Sequence, residues 1–319
     1  MDAHPDNPKA NSLDNRLPEE KVRQAVEESG YPLQIVVSAG LPAEFVVSEE
    51  WSFPDRDSGQ ARTLDALAVK QYEGGTNSLV RVALLIECKQ SKFPFVFFKG
   101  PRAPSAFVYP LFAEADLVMV TGMVTGTARS MWELPIVRAL SMDHEPLQTI
   151  PPVCSAFSKV VNDKKRIELS GTEPYNALVL PLVSALDHYR KEVRRSGGPA
   201  THGVQTVLLP VAVLDAPLVL VQVDAASNHY SLVPWVRVLR TLPDNRAQHP
   251  NQVPWGRRVA IDVVHKEFFA TYVNQHVVPF TEKLATRIAK HQVLVSSGQG
   301  TLDCAELPGD IEAHLVPKA

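Results

Sequence analysis

The chain has 319 residues, with 32 basic and 35 acidic side chains and a formal net charge of −3. That length supplies one large domain or two ordinary ones, and 45% apolar with 21% charged residues is a globular composition, neither disordered nor fibrous. Without a global positive field the chain cannot coat nucleic acid through bulk charge, which still leaves room for a local basic groove.

Twenty-six prolines against 16 glycines favour loops and strand ends over long helix bundles. Cys88, Cys154 and Cys304 are scattered, so neither a disulfide framework nor a zinc knuckle is expected. The opening MDAHPDNPKANSLDN lacks the basic start and apolar run of a signal peptide. No stretch reaches the roughly 18 apolar residues that span a bilayer. The expectation is a soluble cytoplasmic protein with no membrane contact.

In chain order, residues 1–16 read as a disordered leader. Pro18 opens a short helix, PEEKVRQAVEESG, with acidic residues in its first turn, Val22, Ala25 and Val26 as its apolar stripe and Gly30 as its stop. Residues 33–39 and 44–51 read as strands or one bent strand. Residues 61–72 and 78–90 are strong strands separated by EGGTN, whose glycines permit a tight reversal. Residues 92–116 mix aromatics and prolines in a loop with a helical turn, 116–124 read as a buried strand, and 126–170 carry no clear pattern. A helix at 175–195 precedes a strand pair in VQTVLLPVAVL and PLVLVQV, then strands at 233–240 and 257–265. A final helix at 267–291 is expected to kink near Pro279, and 296–319 read as a loose tail. The order of elements implies a mixed α/β sheet, with one domain over 17–295.

Asp65 sits inside the apolar run LDALAV, and Glu87 and Lys89 end another, LLIECK. A hairpin reversing at about Thr76 places Asp65 opposite Glu87, Leu67 opposite Leu85 and Val69 opposite Ala83. Residues two apart on a strand share a face, so Lys89 joins the two acids. Opposed carboxylates repel, and a divalent cation removes that penalty. Two carboxylates with room for water are what Mg²⁺ usually takes from a protein. A lysine beside it positions a water and stabilises charge on phosphate. The competing reading is a pair of strand-end ion pairs, Lys89 neutralising Glu87 and Asp65 capping a turn.

Asp65 followed by Glu87-Cys88-Lys89 on adjacent strands after an acidic helix resembles the PD-(D/E)XK nuclease superfamily, over roughly residues 18–92. The resemblance implies a restriction-endonuclease-like α/β fold, a mixed central sheet flanked by helices, here with additional C-terminal strands and helix. Its core runs helix, three strands, helix, strand. PEEKVRQAVEESGYPL also resembles the first helix of archaeal Holliday-junction resolvases, where a Glu lies eleven residues before the closing Gly. That position is Glu19, with Glu20 in reserve. The resemblance further implies that Asp65 and Glu87 hold Mg²⁺ (Mn²⁺ as substitute), that Lys89 orients the attacking water and that Glu19 assists. Leu64 stands where the motif's name has proline, and the long stretch between helix and Asp65 implies an insertion or extra strand pair.

The expected activity is metal-dependent hydrolysis of DNA. Lys92, Lys99 and Arg102, just past the site, are the expected phosphate contacts. The expected partners are DNA and either a second copy or a protein of a defence or repair system. A non-catalytic binding or assembly protein on the same fold, or a subunit dependent on a partner, are the alternatives. Asp262, His265 and Glu267 suggest a metal site, but Asp262 and His265 face opposite ways on one strand, so a strand end with a helix cap is the better reading. Trp235 and Trp255, beside prolines, read as packing residues rather than base-stacking platforms.

Overall fold

The two apolar runs pair in the computed structural model with the register set by their pattern: Leu67 faces Leu85 and Val69 faces Ala83. The structure describes residues 4–14, 16–55, 59–73, 79–100, 108–163, 166–196, 204–224, 227–242 and 257–316. The reversal at 74–78, Arg102 and Trp255 lie outside the described residues.

Strands β1 (Val46–Pro54), β2 (Ala61–Glu73) and β3 (Leu79–Gln90) form an antiparallel meander. Then come β4 (Phe95–Lys99), β5 (Leu111–Phe112), β6 (Leu117–Val124), β7 (Thr127–Pro135), β8 (Val153–Cys154), β9 (Ala156–Asp163) and β10 (Arg166–Ser170). The remaining strands are β11 (Val204–Asp215), β12 (Leu218–Val223), β13 (Asn228–Leu232), β14 (Trp235–Leu242), β15 (Arg257–His265) and β16 (Gln299–Leu302). The largest sheet runs β1-β2-β3-β11-β15-β14-β8, with β5 also on β11; a second runs β10-β9-β4-β12-β13 and a third β16-β6-β7. The architecture is mixed α/β, with β3, β11 and β15 parallel at the centre of the main sheet. Parallel strands are covered on both faces, which is why β3 and β11 read as nearly unbroken apolar runs.

Four longer helices matter for the site: α1 (Glu19–Glu28), α2 (Tyr31–Ala39), α3 (Leu180–Ser196) and α4 (Val278–Lys290). On one face of the sheet, Leu182 and Leu186 of α3 join Leu85, Leu208 and Ile261. On the other, Leu33 and Val37 of α2 and Leu284 and Ile288 of α4 join Val82, Leu84 and Val211. Both α3 and α4 begin just after a π turn, at Tyr175–Val179 and Tyr272–Val277, shortly before Pro181 and Pro279. Proline removes an N–H and crowds the preceding turn, and the wider turn absorbs that clash, which accounts for the irregularity expected at Pro279.

Three expectations change. Residues 33–39 are helix, not strand: Pro32 fits the first turn, and Leu33 and Val37, four apart, form the buried stripe against the β-branched preference of the run IVV. The expected apolar stripe of α1 is uncovered, since that helix buries no residue. Segment 296–319 contributes β16, paired in parallel with β6, and buries Leu302, Ile311 and Leu315. Gly122 permits that docking: a Cβ there would lie 2.6 Å from the Cys304 carbonyl oxygen. Irregular spacing of those few apolar residues hides the order from a periodicity reading. Among the described residues no helix is long and apolar enough to cross a membrane.

Candidate active site

The β2/β3 ladder ends at the pair Ala66 and Ile86, one rung before Asp65 and Glu87. There the Asp65 side chain takes over from the backbone. Its Oδ2 accepts the Cys88 N–H at 2.6 Å, and its Oδ1 accepts from Gln34 Nε2 of α2 at 2.5 Å. Lys89 Nζ lies 2.6 Å from Glu87 Oε1. Glu87 is only 4% exposed, and its Oε2 is buried with no hydrogen-bond partner. An orphaned buried carboxylate oxygen is costly and calls for a counter-charge or donor.

The charges at the site act on one another. Burial pushes the Asp65 carboxyl above its ordinary range, with the Cys88 N–H and Lys89 pulling the other way and Glu50 adding to the rise. Burial lifts Glu87 to about 7, opposed by Lys89 and helped by the Asp65 charge. Burial also penalises the Lys89 ammonium, but the Glu87 carboxylate outweighs it and holds that amine above its usual value. Lys89 is therefore a charged donor at neutral pH, not a free base.

A raised carboxyl has a definite consequence for stability. Glu87 binds its proton more tightly folded than unfolded, so its contribution is full below about 4.5, the ordinary value, and is lost as pH rises through about 7. In a chelating buffer, wild type is expected to lose stability over that window relative to Glu87→Gln. Added Mg²⁺ or Mn²⁺ should raise the melting temperature more at pH 8 than at pH 5, releasing on the order of one proton near pH 7. Thermal melts of both proteins across pH check this, and parallel curves with and without the cation would count against it.

Not every expected residue joins the cluster. Glu19 pairs with Arg23 at 2.6 Å, at the opposite end of α1 from Glu28. Glu28 is the residue that reaches Lys92, at 2.9 Å. Nine helical steps separate the two acids, a rise of about 13 Å. The charges that act on Asp65 are those of Lys89 and Glu50, and on Glu87 those of Lys89 and Asp65; Glu19 is not among them. Lys92 is exposed beyond β3, and Lys99 closes β4. Asp262 is fully buried against Arg237. His265 Nδ1 accepts the Glu267 N–H at 3.3 Å, a helix cap as expected. Trp235 is buried against Tyr272 and His276, again packing. Away from the sheet, Asp303, Cys304 and His314 place donor atoms within 4.8 Å of one another, the one such trio of metal-ligand type among the described residues, with no preference for Mg²⁺.

Gln34 is the residue that the sequence reading missed. Gly30 and Pro32 ahead of the apolar run are the signals for a second helix, and that helix delivers the amide to Asp65. Gln34→Leu, close in size but without donors, is expected to weaken any Mn²⁺ binding at Asp65 about 10–100-fold, the usual cost of losing a group that orients a metal-binding carboxylate. Its melting temperature should stay near that of wild type. Mn²⁺ titration of both proteins tests this, and an unchanged affinity would remove Gln34 from the site.

No family model, curated protein or solved structure matches this chain.

Proposed function

We propose that the protein is a divalent-cation-dependent nuclease of restriction-endonuclease-like type that hydrolyses phosphodiester bonds in DNA. The observation that carries this reading is the buried, unpartnered Glu87 Oε2 beside Asp65, with Lys89 holding the other Glu87 oxygen. The two helices and the β1–β3 meander support it as well, and after the intervening β4–β10 come α3 and β11, which lies parallel to β3.

The donors fit Mg²⁺ or Mn²⁺: they are hard carboxylate oxygens, and one of them lacks any other partner. Asp65 and Glu87 would hold the ion, which when bound polarises a phosphoryl oxygen and makes a water more acidic. The remaining work belongs to the chain. Gln34 and the Cys88 N–H fix both oxygens of Asp65, so that carboxylate meets its ligand in one orientation. Lys89 keeps its proton and donates from Nζ, orienting the attacking water and offsetting negative charge that grows on phosphate. The partly exposed Lys89 at the strand end meets solvent while Glu87 stays buried, so the substrate approaches from the Lys89 side.

Incubation of the purified chain with single-stranded, double-stranded and branched DNA tests the proposal. Cleavage is expected with Mg²⁺ or Mn²⁺ and none with a chelator. No cleavage of any of these substrates with either ion would overturn it.

A further inference from the structure

We infer that Asp303, Cys304 and His314 form a site for a thiophilic divalent cation of the Zn²⁺ type, which clips the C-terminal segment to the sheet of β16, β6 and β7. The site is separate from Asp65 and Glu87 and independent of the proposed nuclease function.

The fold builds this site where two stretches of backbone meet. β16 ends at Leu302, and the chain loops out and returns beside it. Leu302 forms an antiparallel bridge with Leu315, the Asp303 N–H donates to the His314 carbonyl at 3.1 Å, and the Val316 N–H donates to the Thr301 carbonyl at 2.9 Å. These contacts set Asp303 beside His314, eleven positions away. Buried Leu302, Ile311 and Leu315 anchor both stretches. His314 ends a 3₁₀ turn, Glu312–His314, whose first residue pairs with Lys290 and with His291, each at 2.6 Å. The Cys304 carbonyl oxygen packs against Gly122, which holds that residue from the other side. All three side chains therefore stand on an ordered frame.

The side chains converge on that frame, with donor atoms of all three within 4.8 Å of one another. Ligands of a tetrahedral Zn²⁺ sit roughly 3.3–3.6 Å apart, given metal–ligand bonds of about 2.0–2.3 Å, so small side-chain rotations close the site. His314 Nδ1 and Asp303 Oδ1 are 2.8 Å apart, a contact that needs a proton between them. The Cys304 thiol donates to the Glu306 carbonyl at 3.2 Å. A cation takes the place of the shared proton, leaving the imidazole neutral with its proton on Nε2. The thiol gives its proton to solvent, and water replaces it at the exposed Glu306 carbonyl.

An exposed ion pair of Asp303 and His314 contributes little by itself and gives the thiol no part. Thiolate, imidazole and carboxylate together suit Zn²⁺, whereas Mg²⁺ and Ca²⁺ take oxygen donors. Three protein ligands leave the fourth position to water. Asp303 is exposed and Cys304 and His314 are partly so, so the ion enters from solvent. Bound there, it joins residues on either side of the 303–314 loop, an arrangement only the folded chain offers, and so stabilises the fold.

Co²⁺, a spectroscopic stand-in for Zn²⁺, tests the site when titrated into the reduced, chelator-treated full chain with excess Mg²⁺ present to fill hard-oxygen sites. One equivalent is expected to give a sulfur-to-cobalt charge-transfer band and the intense visible bands of tetrahedral Co²⁺, both bleached by Zn²⁺. Cys304→Ser should abolish the charge-transfer band, and the control Cys154→Ala should keep it. Asp303→Asn and His314→Gln should each weaken Co²⁺ binding by about tenfold or more, since even groups that only orient a ligand cost that much. Zn²⁺ should raise the melting temperature of wild type and leave that of Cys304→Ser unchanged. Circular dichroism confirms that each variant is folded. A wild type without the band, a band that survives in Cys304→Ser or vanishes in Cys154→Ala, or full affinity in His314→Gln or Asp303→Asn overturns the site. A wild-type melting temperature that Zn²⁺ does not raise overturns the clip.

Discussion

Alanine at Lys89 is expected to lower cation-dependent cleavage by about 10²–10⁴-fold while the protein stays folded, the range for a group acting on the transferred proton or developing charge. The side chain is about one-third exposed at a strand end, so its loss opens no core cavity. Its role is electrostatic: it donates to Glu87 Oε1 and remains charged because Glu87 stands beside it. Removing it also leaves the Glu87 carboxylate without its ammonium, so Glu87 should hold its proton to still higher pH. Whatever cleavage remains should therefore shift its pH dependence upward. Lys89→Arg keeps the charge but replaces a compact ammonium with a planar fork, and it should not restore full activity. Single-turnover cleavage across pH, with circular dichroism on each variant, measures both effects. A rate within a few-fold of wild type in Lys89→Ala would contradict the assigned role and favour a simple strand-end ion pair.

Alanine at Asp262 is expected to destabilise the fold by about 3–5 kcal/mol, the cost of stranding one charge of a buried pair. Arg237 Nε reaches Asp262 Oδ1 at 2.7 Å and Nη2 reaches Oδ2 at 3.0 Å, with both residues fully buried. Tyr109 and Tyr272 donate their hydroxyls to the same Oδ2 at 2.7 and 2.9 Å, and the guanidinium lies 3.7 Å from the Tyr109 ring centre. Nη2 also donates to the Leu147 carbonyl. This network lies two strands along the same sheet from the candidate site: Asp262 is level with Val211 of β11, which is level with Ile86 of β3. Its loss should lower the unfolding midpoint while the folded fraction still cleaves. Replacing Arg237 and Asp262 together by Met and Leu should recover much of the stability, because the cost lies in the unpaired charge. Urea unfolding of the two variants measures this, and a loss under about 1 kcal/mol in Asp262→Ala would show that the pair is dispensable.

How much of the site was legible in sequence depended on whether its signals were local. Asp65 interrupts one apolar run and Glu87 and Lys89 end another, and the pairing follows from the reversal near Thr76 and the apolar pattern, so the register Leu67–Leu85 was readable. The ladder's end at Ala66 was not, because it depends on the Asp65 side chain capturing the Cys88 N–H. Helix α2 was hidden because Ile35, Val36 and Val37 favour strand locally, while the packing of Leu33 and Val37 decides for helix. Glu19 was chosen by its spacing from Gly30, and spacing along one helix says nothing of where its far end points. Val47 and Ala66 pack in one core layer and Trp51 and Leu64 in the other, and this change of face about Glu50 and Asp65 leaves no mark in the alternation of apolar residues. Sheet order beyond β3 was equally out of reach: β11 pairs with β3 across more than a hundred residues of intervening chain.

Diffraction from crystals soaked in Mn²⁺, with anomalous data collected at the manganese edge, tests the cation site most directly. The expected result is a single strong peak within coordination distance, about 2.0–2.3 Å, of Glu87 Oε2 and a carboxylate oxygen of Asp65. A map with no peak there, or with Mn²⁺ only at Asp303, Cys304 and His314, would contradict the assignment of Asp65 and Glu87 as the metal-binding carboxylates.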